Sequence, residues 1–273
     1  MENTRNKIGI LGCGWLGFPV AQRLLEEGYE VKGSTTSSDK LPVLRAAGIE
    51  AYEVRVLPNE IKGDLSAFLE GLETLVIDFP PGIRSQPATD YISAMAGLIS
   101  SLKAVSVRQV LFVSSISVYE ETEAMPQYSE EDPANAVSER GRALIVVEEL
   151  LKAEKPFKTT VLRLGGLIGP GRNPVNQLSG RNGISNGEAP INLIHQEDCI
   201  GIILKILKEN FFGETFNAVF PDHPSKKQYY QTMAKARKLP LPEFEEGISK
   251  GKFIDSTKVQ EVLGYHFQAD LHQ

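Results

Sequence analysis

Gly12-Cys13-Gly14-Trp15-Leu16-Gly17 spells G-x-G-x-x-G. It lies between an apolar run, Lys7-Ile8-Gly9-Ile10-Leu11, and a stretch of helical spacing from 16 to 27. In that context each glycine has a task. Gly12 permits a tight turn, Gly14 removes a side chain where backbone must approach a pyrophosphate, and Gly17 lets helix and strand pack closely. The start of the helix adds backbone N–H groups and the positive end of its dipole. Such a loop suits the diphosphate of a dinucleotide. A carboxylate about 20 residues beyond the first glycine would then bind the ribose hydroxyls of NAD. That place reads Gly33-Ser34-Thr35-Thr36, and Glu30 comes too early. Hydroxyls at Ser34, Thr35 and Thr36, with Lys40 nearby, suit a 2′-phosphate instead, so NADP is the expected cofactor and NAD the alternative. Cys13 is either a small apolar filler or a thiol favoured by a helix N-terminus. Trp15, the single tryptophan, packs the loop and serves as a reporter of binding.

The remaining composition limits the chemistry. The chain has 273 residues, 29 Lys+Arg against 35 Asp+Glu, and a formal charge of −6. Its pI near 5.4 and lack of basic clusters argue against nucleic-acid partners. Cys13 and Cys199 stand far apart, and His195, His223, His266 and His272 form no metal spacing, so neither a metal site nor a disulfide framework is expected. The first residues are polar, with no signal-peptide core, and no apolar run reaches the ~18 residues of a membrane span. A cytoplasmic protein without membrane contact is expected.

Strand and helix patterns alternate to position the loop. Strands are read at 7–11, 29–33, 49–54, 74–79, 110–113 and 160–164, with helices at 16–27, 38–47, 89–104 and 141–152. Pro80-Pro81 ends the fourth strand, and Ser114-Ser115 ends the fifth. This rhythm predicts an α/β fold: a Rossmann-like, doubly wound parallel sheet. Residues 165–190, rich in Gly, Pro, Asn and Ser, break the rhythm and read as a long loop. A strand at 191–194, a helix at 196–208, a strand at 214–219 and a helix at 224–237 follow. The organisation expected is a nucleotide-binding domain over 1–164 and a small C-terminal α+β cap over 165–273 that is not an independent domain. Helix 141–152 is apolar on more than one face, as in a buried helix or a homodimer surface.

Together the glycine loop, Val113-Ser114-Ser115-Ile116-Ser117-Val118-Tyr119 and Gly169-Pro170-Gly171-Arg172 resemble the extended short-chain dehydrogenases/reductases. More narrowly, the chain resembles their YeeZ-like, epimerase/dehydratase-like branch. It continues through Ser138–Arg142, Leu162–Arg172, Ile191–Asp198, Phe216-Asn217 and Lys252–Tyr265. The resemblance implies NAD(P) binding and hydride transfer on a small-molecule substrate such as a nucleotide-sugar. It also implies a Tyr general acid/base, a Lys four residues later that lowers its pKa, and a Ser that orients the substrate. Ser115 falls at the serine position. The Tyr and Lys positions, aligned without gaps, hold Arg140 and Leu144, so the usual dyad is missing. A leucine supplies no charge, and an arginine is a poor base. Tyr119 is either the substitute acid/base, with Tyr128 behind it, or a packing or cofactor contact.

The cofactor contacts expected are Gly12, Cys13, Gly14, Trp15, Leu16, Gly17, Ser34, Thr35, Thr36, Pro80, Pro81 and Ser114. Arg172 and Arg181 are expected at a substrate phosphate or carboxylate. Glu139, Arg140 and Arg142 form either a polar cluster on a cleft wall or a solvated helix start. His195 and Asp198 fit a structural role at a strand-to-helix junction. Three functions remain open: an oxidoreductase or epimerase with a non-standard acid/base, an NADP(H)-binding sensor that has lost hydride chemistry, and an enzyme that uses the fold for another reaction.

Overall fold

The computed structural model describes residues 7–79, 87–269 and 271. The first half alternates strand and helix: β1 (Lys7–Leu11), α1 (Gly17–Glu26), β2 (Glu30–Thr35), α2 (Leu41–Ala46), β3 (Glu50–Val56), β4 (Ile61–Gly63), α3 (Leu65–Leu69), β5 (Thr74–Ile77), α4 (Ala88–Leu102) and β6 (Gln109–Ser115). The chain continues through β7 (Gln127–Tyr128), α5 (Glu139–Ala153), β8 (Lys158–Leu164), β9 (Gly166–Ile168), α6 (Val175–Leu178), β10 (Leu193–His195) and α7 (Gln196–Lys208). It ends with β11 (Thr215–Ala218), α8 (Lys226–Ala236), β12 (Phe253–Ile254) and α9 (Thr257–Glu261).

Eight strands form the main sheet in the order β11-β8-β6-β5-β1-β2-β3-β4. The pairs β1–β2, β1–β5, β2–β3 and β5–β6 are parallel, and β4 joins β3 antiparallel at the edge. From β1 the chain first builds outward through β2 and β3, then crosses back to β5. The strand order therefore reverses between β1 and β5, where α/β sheets bind ligands at their carboxyl ends. The expected α/β, Rossmann-like fold is the one observed. Ile10, Val76, Leu111 and Phe112 are buried from strands, and Met95 and Leu98 from α4. Near-continuous apolar strands of this kind are buried on both faces.

The chain forms two compact units, each discontinuous in sequence. Unit 1 comprises residues 1–115, 139–162 and 203–215, and unit 2 comprises 116–138, 163–202 and 216–273. Within unit 1, α5 is tied to the sheet by a buried pair. The Ser114 hydroxyl donates to Glu148 Oε1 at 2.6 Å. Lys32, in the middle of β2, is also buried. Its ammonium donates to the carbonyls of Ala67 and Glu70 at 2.6 and 2.8 Å, satisfying the C-terminal end of α3.

Unit 2 holds two short parallel pairs, β10–β9 and β12–β7. The segment 165–190 is not the open loop its composition predicts. It carries β9 and α6, and Ile184 and Arg181 exchange backbone hydrogen bonds with Glu243 at 3.1 and 2.9 Å. Val175 of α6 packs with Tyr229 and Met233 of α8 in one buried cluster. Partners far along the chain therefore order a segment whose local composition specifies little. At the α7 junction, Asp198 is fully buried. Its Oδ1 accepts from Tyr265 Oη at 2.9 Å and the Gln268 amide at 2.7 Å, and its Oδ2 accepts from the Ala269 amide at 3.3 Å. His195 Nδ1 accepts the Glu197 amide at 3.2 Å. Both residues thus have the structural contacts expected of them.

Asp198→Ala would strand those three donors, and leaving buried donors unpaired is expensive. The expected loss is about 3 kcal/mol in urea unfolding, with Asp198→Asn losing less because Oδ1 survives. An unchanged midpoint for the alanine variant would show that the tail is not held this way.

Candidate cofactor and active site

The glycine loop is held from two neighbouring strands. The Gly12 amide donates to Ser34 Oγ at 3.0 Å, and the Cys13 amide donates to the Ser34 carbonyl at 2.7 Å. From the other side, the Asp78 amide donates to the Leu11 carbonyl at 2.9 Å. Asp78 Oδ2 accepts the Gly17 amide at 3.1 Å, capping α1 with a carboxylate at the positive end of its dipole. The glycines divide accordingly. Gly12 has φ +110°, and a Cβ there would lie 2.2 Å from the Asp78 carbonyl oxygen. A Cβ on Gly17 would lie 2.1 Å from the Gly12 carbonyl oxygen. Gly14 is exposed and has no atom within 4 Å of a built Cβ. It forms the open side of the loop, where a phosphate can approach backbone.

These contacts place the sequence-predicted residues. Ser34 is buried, with both hydroxyl and carbonyl engaged by the loop. Thr35 is buried, and its hydroxyl accepts the Ser37 amide at 3.2 Å. Thr36 is exposed. Cys13 is buried, and burial, followed by the charge of Asp78, pushes its thiol up to about 12. Leu16 is buried and Trp15 half-buried. Ser114 is buried against Glu148, and Ser115 is half-buried at the end of β6. Pro80 and Pro81 lie outside the described residues.

Unit 1 also contains a cavity of about 270 Å³ at the carboxyl ends of β2 and β3. Thr36, Arg55, Val56, Leu57 and Pro58 line its strand side. Phe79, Pro87, Ala88, Asp90, Tyr91, Ala94, Glu139 and Arg140 complete it. Glu139 Oε1 accepts the Ala88 amide at 3.2 Å, so α5 caps α4. Tyr91 donates to the Phe79 carbonyl at 3.0 Å, and their rings pack at 5.6 Å. Burial raises the Tyr91 phenol far above its usual range, so it stays neutral. The cavity thus pairs apolar walls with a few polar groups, the ordinary character of a small-molecule site. Of its lining, the sequence pointed to Thr36, Glu139 and Arg140 but missed Arg55, Phe79 and Tyr91. Asp78 was also missed, although an acid closing an otherwise apolar strand was a legible signal.

In unit 2, Tyr119 is buried at the centre of a hydrogen-bond node. Its hydroxyl donates to the Ser129 carbonyl at 2.7 Å, accepts from Arg163 Nη1 at 2.6 Å and lies 3.2 Å from Asn217 Oδ1. The Tyr128 ring stacks on it at 4.8 Å, and the Arg163 guanidinium lies 5.0 Å from its centroid. Burial raises its phenol despite the opposing charge of Arg163. Arg172 and Arg181 both have exposed side chains. Arg172 closes a tight turn with Gly169 through two backbone bonds of 2.9 Å.

A family profile described as NAD(P)H-binding matches residues 12–207, which include the glycine loop and the cavity. The chain belongs to this NAD(P)H-binding family. It is 35% identical to Protein YeeZ of Escherichia coli K12 over 267 residues, 96% of each chain. Its NAD(P)H-binding fold also superposes on UDP-glucuronic acid 4-epimerase from Bacillus cereus in complex with NAD. There the TM-score is 0.79 at 20% identity, over 97% of this chain and 93% of that one. A human epimerase family protein with NADPH gives a TM-score of 0.74 at 17% identity, over 97% and 96%. Within this NAD(P)H-binding framework, the described residues contain no group of three or more His, Cys, Asp or Glu side chains that could hold a metal, and no helix long and apolar enough to cross a membrane.

Two outcomes follow from this geometry. Gly12→Ala forces both a disfavoured φ and a backbone clash, so about 2 kcal/mol or more of stability is lost. Gly14→Ala melts like the parent, and equal melting of both variants would contradict the packing. Burial keeps the Cys13 thiol protonated at pH 8, and Cys199 is also buried. Iodoacetamide followed by mass spectrometry should label neither cysteine in the native protein at pH 8 and both in urea; rapid native labelling of Cys13 would disprove its burial.

Proposed function

We propose that this protein is an NAD(P)-dependent oxidoreductase or epimerase acting on a small-molecule substrate, with NADP as its cofactor. The observation that carries the cofactor part is the open face at Gly14, beside a loop held rigid by Ser34 and Asp78. A Cβ there would fill the approach to backbone N–H groups at the start of α1, so the residues present fit a dinucleotide diphosphate. Gly14 and its neighbours would hold the diphosphate, and the unit 1 cavity would take the adenosine. Its apolar walls suit a flat base, and Thr36 lies where ribose hydroxyls or a 2′-phosphate are read. The bound nicotinamide supplies hydride chemistry.

Ser115 is the residue proposed to orient a substrate oxygen. The Tyr119 hydroxyl already donates a hydrogen bond to the Ser129 carbonyl and accepts one from Arg163. Burial favours a neutral phenol, against the pull of the Arg163 guanidinium. This supports Tyr119 as a positioning residue more than as the substitute acid/base. A nucleotide-sugar suits the proposed substrate class, because the exposed guanidinium forks of Arg172 and Arg181 match a diphosphate. The Bacillus cereus epimerase acts on UDP-glucuronic acid. A second reading, an NADP(H)-binding sensor without hydride chemistry, is favoured by one feature. At the positions where the family resemblance implies a Tyr–Lys pair, Arg140 lines the cavity and Leu144 is buried in α5.

The test titrates NADPH and NADH separately, following Trp15 fluorescence and heat. NADPH is expected to quench or enhance the single tryptophan, and Gly14→Ala to weaken binding about tenfold or more while melting normally. Silence with both cofactors, by both methods, would defeat the cofactor assignment. Oxidation of NADPH against a panel of carbonyl compounds then separates the two readings. Turnover lost in Ser115→Ala supports the enzyme, and tight binding with no turnover on any substrate supports the sensor.

A further inference from the structure

β2 and β3 are parallel neighbours, with Thr35 opposite Glu53. Thr36 and Arg55 therefore rise from adjacent strands at the same end of the sheet, and both line the unit 1 cavity. The three hydroxyl residues closing β2 are not equivalent. Ser34 and Thr35 are buried and spend their oxygens on the Gly12 and Ser37 amides. Thr36 is exposed towards the cavity. Arg55 faces Glu53 at 3.6 Å, with both side chains well solvated. A surface pair of this kind contributes little, so the guanidinium can exchange it for a stronger partner at small cost. The two acids on the cavity wall, Asp90 and Glu139, come from helices α4 and α5, and Glu139 accepts the Ala88 amide.

We infer that Arg55, assisted by Thr36, receives the 2′-phosphate of NADP, so that an arginine on β3 selects NADP over NAD. The inference rests on the cofactor reading above. A phosphomonoester is dianionic near neutral pH and offers three acceptor oxygens. The planar guanidinium fork meets two of them, and the Thr36 hydroxyl donates to a third. NAD carries only a hydroxyl at that position and gives Arg55 no charge to pair with. The sequence reading placed this recognition on Ser34, Thr35, Thr36 and Lys40. The structure withdraws the side chains of the first two and brings in Arg55 from 19 positions beyond Thr36.

Calorimetry on the full chain at low salt tests this with four probes: NADPH, NADH, 2′,5′-ADP and 5′-AMP. The parent should prefer NADPH to NADH and 2′,5′-ADP to 5′-AMP. Arg55→Ala should weaken NADPH and 2′,5′-ADP about 10- to 100-fold, the worth of one charge-assisted bidentate contact. NADH and 5′-AMP should move less than about twofold, and Arg55→Lys should recover part of the loss. Arg55 is exposed, so its variants are expected to melt like the parent. Equal affinity of the parent for NADPH and NADH overturns the inference and the choice of NADP, and leaves dinucleotide binding at the glycine loop standing. An Arg55→Ala effect that is absent or is equal for the phosphorylated and unphosphorylated ligands overturns the inference and leaves the cofactor reading standing. Failure of the parent to bind either dinucleotide overturns both.

Discussion

Unit 1 depends on how its glycine loop is anchored. The loop between β1 and α1 turns on glycines, which bring no side chain to hold it, while Cys13 and Leu16 are buried. Ser34 supplies an acceptor pair from β2, and Asp78 supplies a carboxylate from the end of β5. Both sit behind the loop, so its open side at Gly14 remains available. The Asp78 carbonyl then dictates that position 12 be glycine, because any Cβ would collide with it. Rigidity comes largely from residues outside the loop, and access comes from Gly14 within it. A site organised in this way needs little rearrangement on binding, which limits the entropy cost of holding a long, flexible dinucleotide.

A comparable logic governs unit 2, where irregular chain is ordered by buried polar side chains. Tyr119, Arg163 and Asn217 share one node, and Lys252, just before β12, donates to the Tyr119 carbonyl at 2.5 Å. Asn192 clamps β12 from both sides, donating to the Lys252 carbonyl at 2.8 Å and accepting the Ile254 amide at 3.1 Å. Each partner lies distant in sequence, so the segment 116–138 is held by residues some forty to more than a hundred positions away. Burial depresses the Lys252 ammonium from its usual range, with Glu121 and Glu120 working against that shift. Networks of this kind are costly when incomplete and specifying when satisfied. Among the described residues, no buried side-chain nitrogen or oxygen is left without a partner.

The legibility of the sequence followed the range of the forces involved. β1, β5 and β6 are short apolar runs bounded by turn residues, so their type and order could be read directly. α7 spans Gln196–Lys208 as its spacing predicted. The segment 165–190 could not be read, because β9 and α6 owe their order to α8 and to the chain near Glu243 rather than to local propensity. The contiguous division at residue 164 likewise could not reveal that 203–215 returns to unit 1. Such returns are made by contacts, and composition does not record them.

The sequence by itself determined the class of fold and the glycine loop. These are matters of residue type at fixed spacing, which one-dimensional pattern preserves. Only the tertiary structure decided which polar residues serve the frame and which face open space. Ser34 and Thr36 are two positions apart and chemically alike, yet one is buried beneath the loop and the other lines a cavity. The difference comes from the place where β2 leaves the sheet and passes beyond the glycine turn. Arg55 and Asp78 joined the site for the same reason: parallel pairing brings strand ends together that the chain keeps tens of residues apart.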